Sequence, residues 1–546
     1  MRKLIPAVFA LTLMATSPLA YADTATPEGA ASIKTQVEQA LAFPMDLAKT
    51  QGDGLTLSGP VEVTPKGEYY EVKMPGATVV TSYGFKFDMG TLIANVSNGQ
   101  NGALNVAIAL PQTMKAIDET AKPIAELKIG KQRFSGVWRP DLATFTDVAA
   151  EYNDVTINSL TPGEFAGTVA ALTTTMHLTE NGDGTWSGPY GIGGSGIKLD
   201  FKKGTTANIA IGGMKADSSY DKIDLKARKR MQDTVSETLK KGQQAPTSPD
   251  QAGQMMSNVM SNLSGYLDGM GSNLELTDVS VVMKSETPAQ PNMPAPADFK
   301  AALAKLGFVF DVRGMLQDKG TTTVKVMLDG LNVSDTDPGV QGLIPTQSNF
   351  EVYVENLPMR DLGKSIGGAL ETFVGSLTGV GAGQVDPAKQ AEIQQQAQMQ
   401  MMMLMTTLPQ QLVNAGTTIS VRNTYTRAAD LSTTLDGQFK ANAASSMMAD
   451  GSMTLTLTGV DETILKLQSQ SQAANANPRL AGYATGLSMI QGYTKPEKDA
   501  SGRSLRKLTL AVDATGNATL NGQPLNALVQ GVPGGDIPGG VPNPVP

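Results

Sequence analysis

The sequence predicts an α+β protein: long, twisted antiparallel sheets with amphipathic helices packed on one face, in two related halves built from repeated strand–helix units. Three observations predict it. Apolar residues alternate with period two from Gly54 onward, with Gly and Pro as frequent punctuation. Short alternating strands run directly into helical patterns at several places. The chain is 40% apolar but only 17% charged, so it can fill a large core beneath an uncharged polar surface.

The N-terminus reads as a secretory signal peptide, residues 1–22. Arg2 and Lys3 open it, an apolar run fills 4–14, and Ala20 and Ala22 are the small residues a signal peptidase reads, with cleavage before Asp23. The run is too short to span a bilayer's hydrocarbon, and no later stretch reaches spanning length. The chain has no cysteine, so no lipid anchor, disulfide or thiolate metal site is expected. The expected location is the periplasm, with core burial alone holding the fold.

Residues 27–49 read as a first helix interrupted near Pro44, with Ile33, Val37, Leu41 and Met45 on one face. An antiparallel meander follows, carried by Leu55 and Leu57, Val61 and Val63, Val72 and Met74, Phe85 and Phe87. The recurring unit is then "ALNVAIALPQTMKAIDE" (103–119), with Pro111 opening its helical part. It returns at 206–232, where Ile209 and Ile211 precede a helical pattern, at 348–377 and at 451–470. Helices packed over neighbouring strands would cover their apolar side.

Pro- and Ala-rich stretches at 242–253 and 285–299 flank a helical pattern with Met255, Met256, Val259, Met260, Leu263 and Leu267. The expected organisation is therefore an N-terminal α+β half over 23–285, a linker at 286–299, a C-terminal α+β half over 300–530, and a disordered Gly/Pro tail at 531–546. A helix over 385–413, started by Asp386 and Pro387, carries Met399, Met401, Met402, Met403 and Met405. Two readings stand for those methionines: core filler, which is favoured, or a pliable apolar surface for a lipid or partner peptide.

The residues give little chemistry. Gly191, Gly193 and Gly196 match G-x-G-x-x-G, but Ile197, Leu199 and Phe201 alternate after them. A strand follows where a nucleotide cradle needs a helix N-terminus, so no nucleotide or other cofactor is expected. His177 is the one histidine, flanked by Met176 and Leu178 in an expected strand, and reads as half-exposed. A triad or zinc site needs more partners than this. Asp335 and Asp337 resemble a fragment of a calcium loop and are explained by an Asp-Pro-Gly turn. The basic run 226–230 follows Asp221 and Asp224 on what reads as one solvated helix. A net charge of −8 excludes nucleic acid as a partner and argues against electrostatic docking on anionic lipid.

The C-terminal segment 487–528 places a helix end before a strand with Leu508, Leu510 and Val512, a turn at 513–516, and a second strand closing on Asn521-Gly522-Gln523-Pro524. This hairpin resembles the end of the bacterial domain-of-unknown-function family 2125, as do "GDGLTLSG" (52–59) and "IPTQSNFEVYVENLPMRDL" (344–362); the envelope family 945 is the second choice. The resemblance implies a periplasmic, β-rich protein and supplies no catalytic residues. The expected function is thus non-catalytic: an envelope protein holding a lipid or other hydrophobic ligand in an apolar groove. The alternatives are a protein-interaction module of the envelope and a carboxylate-based hydrolase, which would need two acids in a polar cleft.

Overall fold

The structure, a computed structural model, describes residues 24–51, 54–80, 86–118, 122–161, 163–202, 205–230, 233, 266–285, 298–334, 338–360, 362, 407–472 and 479–525. By internal contacts the chain divides into two units, residues 1–336 with 357–406, and 337–356 with 407–546. The signal segment with Ala20, Ala22 and Asp23, the methionines 399–405, the tail at 531–546 and Asp335 and Asp337 lie outside the described residues.

In the first unit, α1 (Pro27–Gln51) runs continuously through Pro44. Thr26 caps it, its hydroxyl accepting from the Gly29 N–H at 3.0 Å. Its buried Ala30 and Ile33, with Val37 and Leu41, pack on the core above β1 (Gly54–Thr56), β2 (Glu62–Lys66) and β3 (Tyr69–Val80). The sheet continues through β4 (Lys86–Asn98), β5 (Leu104–Ala109), β6 (Thr113–Ile117), β7 (Pro123–Arg139), β8 (Thr144–Ser159) and β9 (Phe165–His177). Beyond β10 (Thr179–Glu180) come β11 (Trp186–Lys202), β12 (Thr205–Ile223), β13 (Leu267–Ser285), β14 (Phe299–Arg313), β15 (Gly320–Asp329) and β16 (Asn332–Ser334). The described strands of this unit pair antiparallel, and from β7 onward each long strand pairs with the next, β10 turning beside β11. The main core lies between α1 and β1–β9, where Leu92, Met114 and Val72 are fully buried.

A crease one residue wide crosses this sheet. Asp154, Gly196, Asp278 and Gly330 have left-handed φ of 54°, 59°, 51° and 69°, a conformation open mainly to Gly, Asn and Asp. The ladders run past them without a register shift, so that they face Gly130, Ala170, Gly212 and Ala304. Each of these four pairs contains one glycine, and there a second Cβ does not fit; toward their other neighbours Asp154 faces Ala170 and Asp278 faces Ala304 with both Cβ atoms present, and Gly196 faces Gly212. A Cβ on Gly130 or Gly212 would lie 2.8 or 2.7 Å from that of Asp154 or Asp278; one on Gly196 or Gly330 would lie 2.8 or 2.6 Å from that of Ala170 or Ala304. Side-chain alternation reverses at the crease. On β7 the buried positions are Ala125, Leu127 and Ile129 before it and Phe134 and Gly136 after it; on β8 they are Val148, Ala150 and Tyr152 before it and Val155 after it.

The second unit begins with α2 (Pro338–Gln341) and β17 (Gln347–Leu357), then β18 (Thr418–Arg427), β19 (Ser432–Ala441) and β20 (Ala449–Thr458). Helices α3 (Val460–Ser471) and α4 (Arg479–Tyr493) precede β21 (Lys495–Lys498), β22 (Ser504–Val512), β23 (Ala518–Leu520) and β24 (Gln523–Pro524). These strands too pair antiparallel. The acidic first turn of α3 suits the helix dipole and is tied to β22. Arg506 grips Asp461 at 3.1 and 2.9 Å. The Ser504 N–H donates to Glu462 Oε1 at 2.9 Å and its hydroxyl to Oε2. The C-terminal hairpin has the expected strand, turn and strand at β22–β24.

The α+β expectation is overturned: the protein is mostly β, each unit built on antiparallel strands with few helices. The repeated strand–helix unit is found at 451–470, where β20 leads into α3. At 103–119 Pro111 opens no helix; β5 and β6 follow one another along one strand side, and the Gln132 amide bonds the Leu110 N–H and carbonyl in place of a ladder partner (2.9 and 2.6 Å). At 206–232 the strand continues to Ile223, and helical residues begin only at Leu225. The apolar interval from Ile211 to Met214 is three residues, a helical spacing inside a continuing strand, because alternation reverses at Gly212. Asp221 consequently lies on β12, while Asp224 caps the helical residues, accepting from the Ala227 N–H at 2.8 Å. Residues 286–299, read as an inter-half linker, join two strands paired from Met283↔Phe299 onward within the first unit.

Two outcomes follow. Gly212→Ala should destabilise the protein by about 1–3 kcal/mol through its contact with Asp278, and Asp278→Gly should recover much of the loss in the double variant; urea denaturation of the four proteins reads the coupling. Ser504→Ala should cost about 1 kcal/mol at neutral pH. The hydrogen bonds from Ser504 hold the Glu462 carboxyl below its ordinary value, so their stabilisation is present above the unfolded pKa and lost as acidification protonates the folded group. The difference between wild type and variant should therefore shrink in acid, as urea midpoints across pH would show.

Candidate functional site

The largest chemical feature of the first unit is one face of β11–β15, built row by row across the strands. Before the crease, Leu172 of β9, Gly194, Met214, Leu276, Leu306 and Leu328 form one row; Thr174, Ile192, Ala216, Leu274, Phe308 and Val326 form the next. Beyond it, Val169, Ile197, Ile211, Val279 and Leu303 are followed by Gly167, Leu199, Ile209, Val281 and Ala301, then by Phe165, Phe201, Ala207, Met283 and Phe299. Odd and even positions exchange across the crease, and the apolar side stays continuous because the reversal there cancels the exchange.

The opposite face is polar. Lys215, Glu275 and Lys305 lie on it, with Lys215–Asp217 and Lys305–Glu275 each paired at 2.6 Å. An antiparallel sheet with one apolar side needs something against that side. The described helices pack elsewhere, α1 on β1–β3 and α3 on α4 and β22. Within the apolar rows Leu274, Met283, Phe299, Phe308 and Val326 remain 38–42% exposed. At strand spacings of about 4.8 Å and about 3.3 Å per residue these rows cover about 20 by 30 Å. That footprint of about 600 Å² lies at the top of the roughly 300–600 Å² of the largest apolar patch on an ordinary monomer. One end is closed by a small core of Leu178, Trp186, Ile223, Leu225 and Leu267, with Met270 and Tyr220 against it.

The sequence-selected residues take other positions. Gly191, Gly193 and Gly196 lie within β11, between β9 and β12, and no helix follows them. Gly191 and Gly193 leave room for β9, since a Cβ there would lie 3.0 Å from Thr175 Oγ1 and 2.5 Å from Thr173 Oγ1; Gly196 belongs to the crease. His177 ends β9, more exposed than expected, with its Nδ1 2.7 Å from Asp147 Oδ2 across the ladder. In the run 226–230, Arg228 donates to Thr144 Oγ1 at 3.0 Å and Lys229 pairs with Asp233 at 2.9 Å.

A shallow open cleft of about 400 Å³ in the second unit is lined by Asp461, Glu462, Glu497, Lys498 and Ser504. Its acids hold structural partners: Arg506 and Gln491 on Asp461, Ser504 on Glu462, Lys507 on Glu497 at 2.8 Å. Among the described residues no group of three or more His, Asp or Glu is arranged to hold a metal ion, and no described helix is long and apolar enough to cross a membrane.

Comparison with known protein families, curated proteins and solved structures finds no match.

Proposed function

We propose that this is a non-catalytic, exported cell-envelope protein that holds a lipid or another hydrophobic ligand against the apolar face of β11–β15. The carrying observation is the continuity of that face: rows of aliphatic, Met and Phe side chains, partly open, with the charges gathered on the other side of the same strands. Burying such a surface gains about 25 cal/mol per Å² without requiring directional partners, which suits acyl chains. The signal segment supports the address.

Native mass spectrometry and solvent extraction of gently purified protein test the reading. The expected result is bound lipid, lowered severalfold in a Val279→Thr/Val281→Thr variant, which keeps β-branched side chains in β13 while adding hydroxyls to adjacent apolar rows. A clean apo mass with no extractable lipid, or lipid unchanged in a variant of unchanged circular dichroism, would overturn it. Crosslinking of the face to an envelope protein would favour an interaction module instead.

A further inference from the structure

We infer that the second unit docks on a phospholipid bilayer surface through the outer face of α4. After its first residue, Arg479, the helix lies within a run without a charged residue, "LAGYATGLSMIQGYT" over 480–494. Its inner side is satisfied: Leu480 and Ala484 are buried with Leu467 of α3, and Leu487 packs beside them. Its outer side carries Tyr483, Met489, Ile490 and Tyr493, exposed by 48, 65, 36 and 51%. A surface helix ordinarily turns charges to water; this one is apolar on both sides.

The outer side also holds Gly482 and Gly486, where a Cβ would meet nothing within 4 Å. No described contact explains them, although each costs about 0.5–1 kcal/mol relative to alanine in a helix.

The choice of occupant follows from size and charge. Fifteen residues make a face about 22 Å long and about 10 Å wide. That is near 220 Å², far below the roughly 800 Å² per partner of a stable protein interface, so a second copy is a poor fit. A bilayer surface needs no complementary shape, and shallow burial of a short apolar helix suffices. Tyr483 and Tyr493 stand about 15 Å apart along the axis, each with an apolar ring and a polar tip suited to the headgroup level. Exposed Lys495 and Lys498 follow directly, alternating with Glu497 and Asp499, so this flank is near neutral and adds only two ammonium groups that can meet lipid phosphates. The chain's net charge of −8 leaves apolar contact as the main attraction.

Flotation of the full chain with vesicles of phosphatidylethanolamine and phosphatidylglycerol tests this. The expected result is co-flotation, falling at least tenfold in Met489→Glu/Ile490→Glu and only partly in Lys495→Gln/Lys498→Gln. Both pairs are exposed, and an unchanged melting temperature confirms folding; Met489→Ser/Ile490→Ser serves as the milder pair if the glutamates unfold the protein. Failure of the wild type to float, flotation unchanged in every folded α4 variant, or a wild-type dimer split by those variants would overturn the inference. The Val279→Thr/Val281→Thr protein should float like wild type whether or not the sheet holds lipid, which separates this inference from the proposed function.

Discussion

In the first unit, the left-handed residues of the crease, each set against one close partner that leaves room for a single Cβ, are the constraint on which the rest of the sheet depends. Gly130 against Asp154, Ala170 against Gly196, Gly212 against Asp278 and Ala304 against Gly330 share one solution: one strand supplies a left-handed residue, and only one member of the pair carries a side chain. Holding an L-residue left-handed costs about 1–2 kcal/mol, less for Asp. Without the reversal, Ile197, Leu199, Ile209, Ile211, Val279, Val281 and Leu303 would emerge among the lysines and carboxylates. Each is worth about 1.5–3 kcal/mol when fully buried; even halved for partial exposure, their sum far exceeds the cost of the crease. The crease also divides strands. Gly330 ends β15 before β16, so β14 meets one partner on each side of Ala304.

Much of this was written in the sequence in a form that period-two and period-3.6 templates misassign. Leu274 and Leu276 occupy even positions, Val279 and Val281 odd ones, with Asp278 between them; Met214 and Ile211 bracket Gly212 in the same way. A break in alternation at an isolated Gly or Asp reads as a strand end or a helix start. Here it marks a strand that continues. The meander from Gly54, the helix over 27–49, the closing hairpin and the strand of His177 were legible because each depends on local alternation or turn chemistry. The pairing that aligns Asp154, Gly196, Asp278 and Gly330 was not, since it joins residues far apart in the chain. The candidate face was hidden for the same reason: no single strand shows that its neighbours share its apolar rows.

The second unit solves a different problem. Its strands are shorter, and β21 and β24 are brief and exposed, which limits the unpaired edge open to another chain. Its polar bonds gather where α3 meets β22, so the acids there are spent on fixing the helix. Asp461 accepts from both Arg506 and Gln491, and Glu462 takes both donors of Ser504. A cleft can therefore be rich in carboxylates and still be explained by a helix dipole and a strand that answers it.

The composition of the sheet face sets what can occupy it. The rows around the crease offer almost no hydrogen-bonding side chains, so a ligand of the proposed kind would be held there by area and by shape that can adapt. Polar atoms enter the same face toward one end, where Ser218 Oγ donates to Ser272 Oγ at 3.3 Å, shortly before the small core around Trp186 and Leu225 closes that end. The face is thus graded along the strands, apolar through its length and hydroxylated near one terminus. A molecule with a uniform apolar surface gains from only part of it. An amphiphile lying parallel to the strands would place its tail over the crease and its polar group beside the serines, satisfying both parts at once.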